Sequence, residues 1–521
     1  MDAEETLTIS KNINRLLQPS MLYKEMLAKA QEEAIKLNVR LSDVKTTLYQ
    51  KFRDTKFDRP LRNYVYNYLK RNGYLAAKQK LQTFSHEQLD YLYEAQQNWE
   101  RRIVKSLNAM CTEQNISLAR KRPQKDINQL MSQWTELGTN IREPTNIRPV
   151  YAPKDFLDAI ISIQNQNINR NSEGPMSMWG IIQIALKVRT LSELRTFYSG
   201  ISINNCQIGI DDTIDGLNES FFNENIKLGK KVIALGLTPV SQEYSKKGCP
   251  VSLRRILWSQ MLGLDISNTD YVYYKQLKNY VFKHELLTDK LLYKDIKLTA
   301  SNDDQYFVFE DLLYQVLLPF LRDTILLTCN NKTNGSLPKS YIRGKLGNSD
   351  LSVIFPPSGV IPFHGFSMYV VPFCYLYSEP EQLYFIFREM YSRFFFRLHC
   401  ISSHEEGILS ICLLFEQLLQ TLEPEVFFHL KLHGIQPLRI AFKWIIRAFS
   451  GCLACDQVLL LWDRILAFDS LQILAVLAAA IFSFRKSNLM KVQSLSAAEG
   501  VFADLMTLQI IPLIQLALFS K

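Results

Sequence analysis

Apolar side chains recur at three- and four-residue steps along Met21–Leu37 and Leu41–Phe52, the spacing of one buried face on a helix. Pro60 fits the start of a further helix continuing through Tyr64, Tyr68 and Leu75. Ser85 with Gln88 forms a capping-box signature ahead of Leu89, and Leu92, Trp99, Ile103 and Leu107 then line one face. Two or three long antiparallel helices would bury these stripes against each other, and nothing in them suggests chemistry. Residues 111–150 turn polar, with Pro123, Pro144 and Pro149, and read as a connector around a short helix at Asp126–Leu137. Phe156–Gln164 predicts another short helix, residues 164–174 (QNQNINRNSEG) a loop, and Met176–Leu194 a return to helix.

The most ordered pattern lies at residues 422–468. Pro424 starts a helix where its missing N–H costs nothing, and Gly434 ends it. Pro437 starts the next, with Ile440, Trp444, Ile445 and Phe449 on one face, before Ser450-Gly451 breaks the pattern. Val458–Phe468 opens a further apolar helix around Trp462-Asp463. Three apolar helices joined by two short turns make a packed bundle.

Composition narrows the class. The 521 residues, 47% hydrophobic and 21% charged, describe a globular protein with room for two to four domains and a large core. Residues 1–130 hold 23 basic against 15 acidic side chains, which accounts for most of the net charge of +9. These charges are interleaved, so a solvated helical surface is expected, with a membrane-facing patch next and no nucleic acid. Nine cysteines form no disulfide framework, and Cys452 with Cys455 has no second pair to complete a metal site. His429 and His433 share a helix face without the glutamate of a zinc-protease motif, and His404-Glu405-Glu406 reads as a solvent-facing helix start. Gly229-Lys230 lacks the rest of a nucleotide loop, and no Gly-x-Ser-x-Gly elbow occurs. The acidic, polar N-terminus reads as neither signal nor transit peptide. Leu471–Phe484 and Met506–Phe519 fall short of the roughly 20 residues a membrane span needs. A cytoplasmic protein with at most peripheral contact on intracellular membranes is expected.

Pro424, Lys443-Trp444, Phe449-Ser450 and Trp462-Asp463 stand in the order found in the C-terminal half of the TBC domain. That family's pattern is a Pro-started helix, a Lys-Trp helix, an exposed Phe-Ser turn and a Trp-Asp helix. Gly248-Cys249-Pro250, then Leu253-Arg254 and Trp258, is similar to the family's opening Gly-x-Pro turn and helix. The chain thus resembles the Rab GTPase-activating proteins from about Gly248 to Arg485. The resemblance implies an all-α fold: a helical TBC-like C-terminal domain preceded by a long-helix N-terminal region. Residues 1–130 would form an N-terminal helical extension, 131–240 a helical connector with polar loops, 241–488 the TBC domain, and 489–521 C-terminal helices packing on it.

The resemblance also implies a mechanism. TBC proteins insert an arginine, which neutralises charge on the transferred phosphoryl group, and a glutamine, which orients the attacking water. Such an arginine contributes about 10³–10⁵ in rate. The first family pattern, Ile-x-x-Asp-x-x-Arg, aligns with Leu292 to Leu298: Asp295 and the following Thr299 are in place, but Leu298 stands at the arginine. Lys297 is adjacent but turned about 100° around a helix, or to the opposite face of an extended segment, and lacks arginine's planar fork. Arg322, on the next predicted helix, is a remoter substitute. The second pattern, Tyr-x-Gln-Gly, aligns with Pro362 to Gly365 and puts His364 at the glutamine. A neutral imidazole offers one donor and one acceptor, so His364 either keeps a weakened water-positioning role or merely packs. Between the motifs, Cys329–Asp350 reads as an inserted polar loop. The implied partner is a Rab-type small GTPase in its GTP form, carrying GTP and Mg²⁺ itself, so the chain needs no cofactor or metal. Two roles remain open: an activator of Rab hydrolysis with weak or atypical catalysis, and a catalytically inactive Rab-binding scaffold or helical adaptor.

Overall fold

Helix follows helix along the computed structural model, which describes residues 3–18, 20–36, 57–71, 90–141, 147–163, 179–184, 186–209, 219–302, 306–326, 341–343, 352–354 and 356–520. The fold is all-α, with two short antiparallel strand pairs added: Ala119–Lys121 with His284–Leu286, and Tyr341–Arg343 with Ser352–Ile354. The second pair begins inside the stretch expected to be an inserted loop. The expected Leu41–Phe52 helix, the Ser85–Gln88 capping box and the 164–174 loop lie outside the described residues.

The chain forms two units that are discontinuous in sequence. The first comprises 1–83, 212–245 and 250–265. Within it, Asn63 on the Asp58–Arg71 helix bridges two helix ends, donating to the Gly236 carbonyl at 2.8 Å and accepting from the Thr238 N–H at 3.0 Å. Tyr66 and Lys70, on the same face, both donate to Gln242 Oε1 at 2.9 Å. On the opening-motif helix Arg254–Leu262, Leu257, Trp258 and Met261 are buried.

The second unit comprises 84–211, 246–249 and 266–521. Asp90–Gln114 buries the predicted stripe of Leu92, Trp99, Ile103 and Leu107. Trp99 meets Tyr151 edge-on at 5.1 Å and Phe156 at 5.2 Å, so the stripe closes on residues of the expected connector. Ile408–Leu422 packs on Ile473–Phe484, which packs in turn on Ile510–Phe519. Pro424–Leu432, Pro437–Ile446 and Cys455–Phe468 are the three helices of the 422–468 pattern. Trp462 lies between Phe373 and Phe395, each 5.1 Å away, and its indole N–H donates to the Ala448 carbonyl at 3.0 Å. Asp463 Oδ2 accepts the Cys249 N–H at 3.2 Å, which joins the Trp-Asp helix to the Gly-x-Pro turn. Gly248 there has φ +112°, and a Cβ on it would sit 2.0 Å from the Ile208 carbonyl oxygen.

Four expectations change. The Pro437 helix stops at Ile446, short of Phe449, because Ala448 and Phe449 adopt φ of 47° and 65° and the Phe449 N–H closes onto the Trp444 carbonyl. The Phe-Ser turn is not exposed: Phe449 and Ser450 are both 0% accessible. Described residues of Met176–Leu194 are helical only from Leu191, since the Ile181 and Ile182 N–H groups donate to the buried Glu416 carboxylate instead of to helix carbonyls. Glu406 does not face solvent: it is buried and accepts from the Leu471 N–H and the Ser470 hydroxyl.

Candidate functional site

Leu291, Lys294, Asp295 and Leu298 are spaced 3, 1 and 3 residues apart on the Leu287–Asn302 helix, and so share one face. That face forms one wall of a shallow cleft that opens to solvent. Pro362, Phe363 and His364 form the second wall, and Arg148 with Pro149 the third. The structure therefore brings Leu298 and His364, 66 positions apart in sequence, to one recess.

Asp295 holds these walls together. Its Oδ1 accepts the Gly365 N–H at 2.6 Å, and its Oδ2 accepts the Ser367 N–H at 2.8 Å and the Ser367 hydroxyl at 2.7 Å. Because the Ser367 proton is used there, the 2.8 Å contact between Thr299 Oγ1 and Ser367 Oγ has Thr299 as donor. The acid and the threonine of the first motif thus brace the turn of the second. Three hydrogen bonds to a buried carboxylate are charge-assisted and stronger than neutral ones.

From the other side, Arg447 donates to the His364 carbonyl at 3.1 Å. Gly365 makes this approach possible. Its φ is +95°, and a Cβ would stand 2.5 Å from Arg447 Nε. Tyr369 donates its hydroxyl to the Ile446 carbonyl, and Ser450 donates to the Met368 carbonyl at 2.6 Å. The buried Phe-Ser turn is therefore a brace for the 364–369 turn.

His364 itself is gripped through its backbone. Its N–H donates to the Tyr151 carbonyl at 3.1 Å, opposite the Arg447 contact on its carbonyl. The imidazole is 38% exposed, with Nδ1 at 3.8 Å from Asp295 Oδ1 and no hydrogen-bond partner for Nδ1 among the described residues. Nδ1 is itself buried, so it is the exposed edge of the ring away from Nδ1 that can meet a water or a group from a docked molecule.

The cations near the cleft are arranged unequally. Lys297 pairs with Glu310 at 2.6 Å and donates to the Gly138 carbonyl, and it does not line the cleft. Arg322 is buried and pairs with Asp289 through both terminal nitrogens. Lys294 and Arg148 line the recess. Sequence reasoning missed Arg148, and no spacing links position 148 to 298 or 364; only the fold makes them neighbours.

A sequence profile of the Rab-GTPase-TBC domain matches residues 363–490, a range that starts inside the second wall of the cleft. The human protein TBC1 domain family member 19 is 49% identical over 520 residues, covering 100% of this chain and 99% of the relative.

Proposed function

The chain belongs to the TBC-domain family of Rab GTPase-activating proteins, and from that premise we propose that it docks a GTP-loaded Rab over the Leu298–His364 cleft and acts as an atypical, weak activator of GTP hydrolysis. TBC domains as a class interact with Rab GTPases. The observation that carries the reading is the convergence of both aligned finger positions, Leu298 and His364, on one solvent-open recess. The recess is shallow and solvent-open, so the nucleotide and Mg²⁺ of this reading are carried by the partner GTPase. Catalysis would be weak because leucine brings no charge and an imidazole replaces an amide beside the attacking water.

Among the described residues, no helix is long and apolar enough to cross a membrane. We place the protein in the cytoplasm, meeting membranes at most peripherally through its Rab.

A scaffold that binds the GTP form without speeding hydrolysis is the second reading, favoured by the apolar side chain at 298. Single-turnover hydrolysis by a panel of GTP-loaded Rabs, beside a binding assay, separates the two. The expected result is acceleration of at least one Rab and its loss by roughly 10-fold or more in His364→Ala. Binding with unchanged hydrolysis gives the scaffold, and failure to bind any Rab removes both readings.

A further inference from the structure

We propose that Arg148 supplies the guanidinium that the first motif lacks, entering the cleft from its third wall to meet the terminal phosphate of the partner's GTP. This deepens the reading above and rests on it. In hydrolysis the water oxygen bonds to the γ-phosphorus while the bond from that phosphorus to the β–γ bridging oxygen breaks. The electron pair leaves with GDP, and the water proton passes to the phosphate. Negative charge builds on the bridging and γ-oxygens, where a planar, permanently charged fork is most effective.

Other cations around the recess are less suited. Arg322 is committed to Asp289, Lys297 to Glu310, and Arg447 to the His364 carbonyl. Lys294 is a point charge without bidentate geometry. Arg148 has the opposite arrangement: its side chain is 60% exposed, and its ion pair with the equally exposed Glu113 is long, at 3.7 Å. A surface pair of that kind contributes little, so a docked phosphate displaces it at low cost.

Its backbone, by contrast, is anchored. Ile147 and Tyr151 on either side are buried, and Tyr151 stacks on Phe363 at 5.7 Å and an interplanar angle of 28°. The Tyr151 carbonyl takes the His364 N–H, so the strand of chain bearing Arg148 is bonded directly to the one bearing His364. Pro149 holds the residue before it in extended conformations, which narrows the directions in which the Arg148 side chain can leave. A fixed base, a projecting fork and a neighbouring imidazole are the parts such a site requires.

The test uses the full chain, wild type and Arg148→Ala, with a Rab that the binding assay selects. Single-turnover hydrolysis is read at saturating chain, and affinity separately for the GTP-loaded form. Arg148→Ala should return hydrolysis to the Rab's own rate while its Kd for the GTP form changes less than about 3-fold, and Arg148→Lys should recover under about a tenth of the acceleration. The wild-type chain should also capture the Rab loaded with GDP and aluminium fluoride, a mimic of the transferred phosphoryl group, and Arg148→Ala should not. Hydrolysis by Arg148→Ala at the wild-type rate overturns the assignment and leaves the Rab reading intact. Binding without acceleration by the wild-type chain overturns it in favour of the scaffold, and absence of Rab binding overturns the docking reading itself.

Discussion

Gly365 shows how little tolerance the site has at single atoms. Its left-handed backbone strains any residue with a side chain, and a methyl group 2.5 Å from Arg447 Nε would push the guanidinium from its place on the His364 carbonyl. Gly365→Ala should lower stability by about 1–3 kcal/mol, read as a lower thermal midpoint, and should weaken Rab acceleration because the turn carrying His364 shifts. A variant that melts with the wild type would refute the reading of this turn. At the same scale the sequence was informative about residue type and silent about partners. Asp295 and His364 stood out from their motifs, yet their shared hydrogen-bonded turn required knowing that residues 295 and 365 meet. Arg148 carried no signal at all, since its proximity to the cleft depends on how Tyr151 pairs with His364.

Among elements, the Ile408–Leu422 helix is tied to two distant segments by buried acids. Glu416, on the helix, takes the Ile181 and Ile182 N–H groups, and Glu406, just before it, takes the Ser470 hydroxyl and the Leu471 N–H. Burial pushes both carboxyls up to about 7 from an ordinary value of 4.5, against the lowering effect of those same donors. The folded chain therefore keeps protons that the unfolded chain releases between these values, and stability falls as pH rises. That contribution is full below about pH 4.5 and lost through about pH 7, on the order of a few kcal/mol for a fully expressed shift. Glu416→Gln removes the ionisation and keeps an acceptor oxygen for one of the two N–H groups, which bond different carboxylate oxygens. Its thermal midpoint should vary less between about pH 5 and 7.5 than that of the wild type; an unchanged slope would show that Glu416 titrates normally. Periodicity identified this helix's neighbours well, and Pro424, Gly434 and Pro437 marked boundaries that the structure keeps within a residue. It misread Met176–Leu194 because an apolar stretch pinned by a remote carboxylate looks the same in sequence as one satisfying its own backbone.

In the whole molecule, family resemblance and compactness divide the chain differently. The matched range opens at Phe363, yet the turn there is braced by Asp295, by Arg447 and by the Tyr151 carbonyl. A fragment beginning at residue 241, where the resemblance alone suggested a domain boundary, lacks Trp99, Arg148, Tyr151 and Phe156. Phe363 then loses its stacking partner, and Phe442 loses the ring of Phe156 at 6.2 Å. That fragment should melt lower than the full chain, bind more of a hydrophobic-surface dye and fail to accelerate a Rab. Melting equal to the full chain would show that the 147–161 segment is dispensable. The all-α class was readable from local pattern because helices satisfy their own backbones. The third wall was not, because it is made by contacts across more than two hundred residues.

The grip on residue 364 through main-chain atoms alone has a consequence for how such a protein changes over generations. The Tyr151 carbonyl and the Arg447 guanidinium seize the peptide and ignore what hangs from it. The position behaves as a socket: its fitting can be exchanged while the holder keeps its shape, so a lineage can alter, dull or restore the tool there without redesigning the machine around it.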